Sequence, residues 1–495
     1  MKTEEVSLHG IKWHFLDPAG SPLLAVLNES RLDGEVVKKN VKRRVLRQPG
    51  IFVKEVRYRG LPIVFKTLLG GTACQEGRIN LELAKTGIPV PEVLAFGTEK
   101  KFGFIRRDLL LTREELSCKT LHAFLFGDFP GMTASEKHRF VQSFAGFMRM
   151  LHDNGVFHND LHIGNILKVP GGSNGHGFVL LDNDRISFKK RPLTTAEKSD
   201  NLAQLLSNLW TLADRSQRFR FLKAYGVKLD REGRHFVDEL ETKALRHLRK
   251  ISRKKARQSL ENNRRFAKEK RKGFTVFYRK KRGMEEILDG FLDDPDRFLE
   301  KGEIFKAGNT VRAAKVELNG KYYFLKRFNC KGWRYQLKNA FRRSRALRSW
   351  LVCWGFRLRG IPLPQPLMCL EERRMRLLKR SYILFEFIDD GERLNGVWPE
   401  LGADRRKGIL ARLGLMLGRL HFFGGIHGDL KWNNILVNRR GDLFLTDFDG
   451  SRIVASRNKR RKKKDLERFL VDLESAPSTK TEREFFLKCW QRWSS

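Results

Sequence analysis

The chain has 495 residues, long for one hydrophobic core, and its 41% hydrophobic content can fill two domains of roughly 200 to 250 residues each. A formal charge of +42 and a pI near 10.3 imply a strong positive field that favours phosphate-rich partners, namely anionic membranes, anionic glycolipids or nucleic acids. The start, MKTEEVSLHGIKWHF, has no apolar signal region and no uninterrupted apolar run approaches ~18 residues, so we expect a cytosolic protein that can lie on a membrane without crossing it.

Residues 1 to 50 carry short alternating apolar runs broken by Pro18, Gly20, Pro22 and Gly34, the pattern of small strands at the edge of an N-terminal lobe. The run IFVKEVRY from Ile51 reads as a β-strand. Lys54 within it, flanked by Phe52, Val53 and Val56, is a candidate for a lysine that contacts nucleotide phosphates, the plain alternative being a strand lysine facing water. A helix is expected from Thr72 to Thr86, where Glu76 can pair with Lys54; Gly87 ends it, and Pro89 and Pro91 open an extended segment. LLLTREELSCKTL then shifts from apolar to polar, as suits a hinge whose backbone near Thr112 to Leu116 meets an adenine ring. LHDNGVFHNDLHIGNIL follows at 151 to 167, then a Gly-rich turn, GGSNGHG, and the apolar strand FVLLDNDRISF, with Asp182 at its end where a carboxylate can reach a metal site.

Residues 235 to 260 show a helical stripe at Val237, Leu240, Ala244, Leu248 and Ile251, read as a linker helix docked by one face or as a surface for anionic lipid. Arg264 to Arg282 continues the basic character and holds a short strand, FTVFY. We place a boundary near residue 250, giving domains 1–245 and 246–495, with 246–282 a basic linker or N-lobe extension. The second half then repeats the first. YYFLKRF sets Lys326 where IFVKEV sets Lys54, GIPLPQPL answers GIPVPEVL, YILFEFIDDG answers the hinge, LHFFGGIHGDLKWNNIL at 420 to 436 repeats the loop, and LFLTDFDGSRI repeats the Asp strand. The separations are 272 for Lys54 and Lys326, 273 for Pro89 and Pro362, 269 for His152 and His421 and for Asp160 and Asp429, and 265 for Asp182 and Asp447, a near-constant shift that chance rarely produces. Asp200 and Asp465 follow the last pair by 18 residues and are expected to tie down the helical lobe.

Each repeat places an Asp five residues before an Asn, Asp160 with Asn165 and Asp429 with Asn434. This is the spacing of a kinase catalytic loop, in which the Asp orients or deprotonates a hydroxyl and the Asn holds a metal ion. Phosphoryl transfer needs neutralised phosphates and a hydroxyl held in line more than a strong covalent catalyst. In the first half Lys54 would bind phosphate, Glu76 would orient Lys54, Asp160 would engage the hydroxyl, and Asn165 and Asp182 would hold Mg²⁺ through hard oxygen ligands. One DxxxxN alone is a weak signal; the ordered set, present twice, is a strong one. The second half keeps Lys326, Asp429, Asn434 and Asp447, but the residue 13 before Pro362, where Glu76 stands 13 before Pro89, is Ser349. The acid opposite Lys326 is missing there, so the second site uses another acid, is slow, or only binds.

No GxGxxG run precedes either lysine, and a phosphate cradle would rest on isolated glycines such as Gly34 and Gly308. His158 and His427 read as structural residues that satisfy backbone carbonyls under the loops. Asn159 and Gly428 stand where many regulated protein kinases have Arg, which favours an unregulated kinase with a small-molecule or glycan acceptor. Lys331 to Gly360 interleaves basic and aromatic residues, fit for lipid or sugar, for RNA, or for a helix that buries its aromatics. No recognisable RNA-binding motif accompanies it, which makes nucleic acid the lesser partner. The six cysteines are scattered without a CxxC pair, as reduced thiols rather than a metal cluster.

With these residues assembled, the chain resembles the bacterial lipopolysaccharide kinase family, which includes the inner-core heptose and Kdo kinases and belongs to the protein-kinase-like superfamily. The resemblance is carried by IFVKEV, QEG, LLLTREEL, HNDLHIGN and LLDND in the first half, and by YFLKRFN, HGDLKWNN and TDFDG in the second. It covers nearly the whole chain as two tandem copies, from about 10 to 240 and from about 255 to 490. It implies an α+β protein of two tandem bilobal kinase-like domains, each with a β-rich N-lobe and a helical C-lobe. It further implies ATP with Mg²⁺, and transfer of the γ-phosphate to a sugar hydroxyl of the lipopolysaccharide core by a protein peripheral on the cytoplasmic face of the inner membrane. Asp160 and Asp429 would be catalytic, Lys54, Glu76 and Lys326 would bind ATP, and Asn165, Asp182, Asn434 and Asp447 would bind the metal. The first half is expected to be the catalytic one. Two other readings stay open: a protein kinase of the same fold, and a non-catalytic scaffold that binds anionic glycolipid or RNA.

Overall fold

The computed structural model describes residues 4–16, 34–39, 41–60, 62–170, 177–209, 213, 215–228, 230–330, 332–338, 340–454, 459–476 and 479–494. Pro18, Gly20 and Pro22, residues 171–176 of the Gly-rich turn, and Lys331 lie outside the described residues. Contacts divide the chain into two compact units, Met1–Ala244 and Leu245–Ser495. The division falls inside a helix, Arg231–Arg257, which buries Leu240, Ala244 and Leu248 from the expected stripe and leaves Arg246, Lys250 and Arg253 to Lys255 in water.

Unit 1 opens with seven strands, β1 (Glu4–Leu8), β2 (Ile11–Phe15), β3 (Glu35–Lys39), β4 (Arg43–Gln48), β5 (Ile51–Arg57), β6 (Val93–Lys101) and β7 (Phe104–Arg113). They form one antiparallel sheet in the order β1-β2-β6-β7-β5-β4-β3. Alternation gathers Trp13, Phe15, Leu46, Val53, Leu109 and Leu111 into one apolar cluster. Val56, Phe96 and Leu110 join a second cluster with Ala73 and Cys74 of the helix Thr72–Lys85. Lys54 shares the parity of Val56 and therefore the helix-facing side of β5. That helix sits close because Gly77 offers no Cβ to meet Leu110 and Phe96. Its start is held from β7: Asp108 Oδ2 accepts from the backbone N–H of Ala73 at 2.5 Å and of Cys74 at 3.1 Å.

Unit 2 repeats the order strand for strand, as Phe266–Arg271, Phe274–Arg279, Pro366–Arg374, Leu377–Glu386, Lys321–Asn329, Val311–Leu318 and Glu303–Ala307. The basic stretch 246–282 supplies the first hairpin of this sheet. The helix Arg345–Arg357 stands where Thr72–Lys85 stands in unit 1, with Ser349 its fifth residue as Glu76 is the fifth of the other. It buries Trp350, Cys353 and Phe356.

A helical lobe follows each sheet, so each unit is α+β. Ala134–Asp153, closed by a capping box of Thr133 and Glu136, buries Phe144, Phe147, Met148 and Leu151; Ala403–Phe422 is its counterpart. Among the described residues no helix is long and apolar enough to cross a membrane. The glycines expected to cradle phosphate divide differently. Gly34 precedes β3 and its counterpart is Gly302; a Cβ there would lie 2.5 Å from Arg47 O in one unit and 2.4 Å from Lys315 O in the other. Both are required by backbone approach at the outer end of a strand, and only Gly308 lies at the hairpin turn.

Candidate active site

In unit 1 the lysine strand, the helix and the loop after Leu180 meet at one ammonium group. Lys54 Nζ lies 2.5 Å from Glu76 Oε2 and 2.5 Å from Asp182 Oδ1. Burial works against the charge of Lys54, but Glu76 and Asp182 more than offset it and hold its pKa above the ordinary lysine value. Burial likewise pushes Asp182 up, yet Lys54 with Lys38 and Arg43 holds it below the ordinary carboxylate value. For the deeply buried Glu76 desolvation prevails over Lys54 and raises its pKa.

The apolar strand stops just before Asp182, at Leu180, so this carboxylate stands at its end as expected. Phe178–Leu180 and Ile186–Phe188 flank a tight turn, Asn183–Arg185, and Asp182 itself takes a left-handed backbone, φ 53°, as Asp447 does in unit 2 at φ 59°. Asn183 Nδ2 donates to Asn80 Oδ1 at 2.7 Å, which links this turn to the helix that carries Glu76. The same position in unit 2 is Phe448, whose ring packs near Phe356, Phe385 and His427.

The loops lie over buried histidines. His158 Nδ1 accepts from Asp160 N at 3.1 Å and its Nε2 faces Leu181 O at 3.4 Å; His427 Nε2 faces Thr446 O at 2.8 Å. Each histidine thus ties its loop to the segment bearing the next Asp. Asn165 Nδ2 closes the loop on Asp160 O at 3.1 Å, and Asn434 Nδ2 closes its own on Asp429 O at 2.9 Å. The Asp160 carboxylate is half exposed, 3.6 Å from Arg185, and Asp429 lies 3.0 Å from Lys431. Asn159 donates to Arg185 O at 2.8 Å, whereas Gly428 is needed because a Cβ would lie 2.5 Å from Gly450 O.

One expected pair is corrected. Asp465 accepts from the backbone N–H of His427 and of Gly428, both at 2.8 Å, and meets His421 Nε2 at 3.2 Å. Its counterpart is Asn201, whose Oδ1 faces His152 Nε2 at 3.2 Å and whose Nδ2 donates to His158 O at 2.7 Å. Asp200 is exposed and pairs with Lys243 at 2.7 Å. One residue along a helix turns the side chain by about 100°, so equal spacing from Asp182 did not carry the same face.

The exchange of Asp for Asn has a consequence for acid stability. His152 lacks the carboxylate that His421 has, and burial pushes its pKa from 6.5 down to about 4. Between those values the unfolded chain binds a proton that the folded chain refuses, so stability falls as pH falls through this window, by about 2 kcal/mol at pH 5. Urea denaturation at pH 7.5 and 5.0 should show that loss, and Asn201→Asp should flatten it. An unchanged pH dependence in Asn201→Asp would remove His152 as the cause.

In unit 2 the lysine has other partners. Lys326 Nζ lies 2.6 Å from Asp447 Oδ1 and 3.1 Å from Asp449 Oδ2, and Arg345 holds Asp449 at 2.8 Å. Ser349 is buried at the helix position of Glu76 and contributes no charge. Burial pushes Asp447 up, but Lys326 and then Lys306 hold it below the ordinary carboxylate value. A cavity of about 420 Å³ opens here, lined by Lys326, Ser349, Asn434, Asp447 and Asp449 and by the apolar Ala313, Ile383, Phe385 and Leu436.

The structure adds residues that sequence reasoning missed. Lys38 on β3 pairs in register with Val45 and reaches to 3.7 Å from Asp182; Lys306 pairs in register with Ala313 and lines the unit 2 cavity. Each follows a β-bulge, between Val36 and Lys38 and between Ile304 and Lys306, a device that re-aims a side chain. A second carboxylate also recurs. Asp184 is held by Arg43 at 2.8 Å and Asp449 by Arg345, and the DxD spacing was visible in both halves.

Residues 63–225 and 289–490 match the family model described as lipopolysaccharide kinase (Kdo/WaaP) family. Stretches of the chain are also similar to two protein kinases and to a subunit of the KEOPS complex. These are KEOPS complex subunit Bud32 of Pyrococcus abyssi (34% identical over 70 residues, 14% of this chain and 31% of that one), serine/threonine-protein kinase cek1 of Schizosaccharomyces pombe (36% over 83 residues, 16% and 6%) and protein kinase kin1 of the same yeast (30% over 82 residues, 16% and 9%). The chain thus spans less than a third of each of these relatives. A solved structure, WaaP in complex with acyl carrier protein, is 21% identical, with 46% of this chain and 92% of that one covered and a TM-score of 0.35. The two matched stretches contain both Asp-to-Asn loops and both Asp182 and Asp447, and the chain belongs to the lipopolysaccharide kinase (Kdo/WaaP) family of phosphotransferases.

Proposed function

We propose that unit 1 transfers the γ-phosphate of ATP to a sugar hydroxyl, of heptose or Kdo, in the lipopolysaccharide inner core, and that unit 2 binds nucleotide in its cavity with slower transfer. The observation that carries this reading is the Lys54–Glu76–Asp182 cluster joined to a loop that leaves Asp160 half exposed, in a chain of this family. Glu76 holds the Lys54 ammonium where phosphate oxygens would meet it, and Lys38 adds charge from the roof in place of a Gly-rich loop. Asp160 orients the acceptor hydroxyl and takes its proton. Asp182 and Asn165 would hold Mg²⁺ through oxygen, and the metal when bound would neutralise charge on the transferring phosphate. Asn165 would also keep the loop closed around Asp160. In unit 2 the same roles fall to Asp429, Lys326, Asn434 and Asp447 without the helix acid. The net charge of +42 and the absence of Arg before either Asp support an anionic glycan acceptor over a regulated protein kinase.

The full chain with labelled ATP and Mg²⁺ should label deacylated core oligosaccharide. Label found only on Ser, Thr or Tyr of lysate proteins would replace this reading by a protein kinase. No turnover with salt-sensitive binding to vesicles or RNA would replace it by a scaffold. Mass spectrometry of core oligosaccharide from a deletion strain should show one phosphate fewer, and an unchanged core would sink the acceptor assignment.

A further inference from the structure

Each unit carries, between its lysine strand and the next long helix, a corner of large apolar side chains that stand in water. In unit 1 these are Phe65 and Leu68 of the helix Pro62–Leu69, with Phe102 and Phe104 at the turn from β6 to β7. Ile105 N donates to Thr67 Oγ1 at 3.0 Å, which lays the helix along the start of β7 and brings the two segments together. In unit 2 they are Trp333 and Leu337 of the helix Gly332–Lys338, with Phe341 and, at the corresponding strand turn, Met375. Arg373 joins these segments by donating to Ala340 O at 3.2 Å and Arg342 O at 2.7 Å, and the Arg376 guanidinium lies 5.5 Å over the Phe341 ring. Phe102 and Phe341 are 84% exposed and Met375 is 89% exposed, far more than a core or a hinge requires.

The segments that carry these side chains are cationic, with carboxylates only at their borders, Glu99 beside Arg107 and Glu371 beside Arg373. No Asp or Glu occurs from Arg57 to Gln75, from Lys100 to Arg107, from Arg327 to Leu370 or from Arg373 to Phe385. We propose that each of these corners, taken by itself, is a docking surface for an anionic lipid bilayer. The aromatic and aliphatic groups would enter the boundary between headgroups and acyl chains, while Lys and Arg stems lie across it with their charges on the headgroups. A bilayer is favoured over a protein partner because the corners keep apolar bulk and a cationic rim while differing in the side chains that supply them. A protein interface demands a matching shape, whereas a lipid surface reads only hydrophobicity and charge. Such docking goes beyond the proposed transfer and would serve any acceptor presented on a bilayer.

The test uses the full chain in flotation with vesicles of phosphatidylcholine alone or with about 30% phosphatidylglycerol, at physiological and at raised salt, where exposed charges are screened and inserted apolar groups are not. The wild type should float with the anionic vesicles and keep part of its binding at raised salt. A variant with Phe65→Ser, Phe102→Ser, Trp333→Ser and Phe341→Ser should lose about tenfold or more, with the remainder released by salt. Its melting temperature and its transfer to soluble oligosaccharide should match the wild type. Equal flotation of variant and wild type at raised salt would overturn the proposal. So would a variant that keeps its vesicle binding and loses only an acidic protein partner. Lack of transfer by the wild type would instead overturn the proposed function and leave the vesicle result standing.

Discussion

Asp160→Ala in the full chain is expected to lower phosphate transfer by a factor on the order of 10² to 10⁴, the usual contribution of a positioned general base, while Asp429→Ala leaves transfer within a few-fold of wild type. The asymmetry comes from the settings of the two loops. Each loop is closed by its Asn and tied by a buried histidine to the following Asp, so neither Asp is misplaced by its own loop. What differs is the phosphate side. Lys54 is braced by a helix acid and reaches one loop carboxylate, whereas Lys326 lies between two carboxylates of one loop, Asp447 and Asp449. Both units thus pair the lysine with an Asp that would hold a metal, but only in unit 1 does a helix acid share the ammonium, since Ser349 stands at that position in unit 2. Labelled transfer to deacylated core oligosaccharide reads the two variants directly. Loss only in Asp429→Ala would reverse the assignment of the units.

Lys54→Met should lower kcat by a factor on the order of 10² to 10³, the effect of removing one preorganised charge from the transferring group. It should also lower thermal stability, because Glu76 and Asp182 would then face each other without the cation; leaving a buried charge unpaired costs roughly 3 kcal/mol or more. Glu76→Gln separates the two effects. It keeps the Lys54–Asp182 pair and removes only the brace, so kcat should fall about tenfold through mispositioning while the melting temperature changes little. Lys38→Ala, on an exposed strand residue, should act on the KM for ATP and more strongly at low salt, with little change in kcat. Measured in an Asp429→Ala background, a Lys54→Met protein that kept more than about a tenth of the rate would exclude unit 1 as the site of transfer.

The linear order of residues determined much of this protein. The strand lysines, the Asp-to-Asn loops and the later aspartates are short local patterns, their doubling shows as a near-constant offset, and Ser349 opposite Lys326 was legible by counting from a proline. Helix Thr72–Lys85 and strand β5 followed from periodicity and punctuation. Only the tertiary structure decided the rest, for three physical reasons. Register across a hairpin depends on strand length: Lys38 and Lys306 are 268 residues apart while Lys54 and Lys326 are 272, because the hairpin between is longer in unit 2, so equal counting missed the roof lysines. Helical phase depends on single residues, which moved the tie to the loop from Asp200 to Asn201. Backbone contact depends on the sheet, which makes Gly34 a close-approach glycine beside Arg47 rather than part of a phosphate cradle.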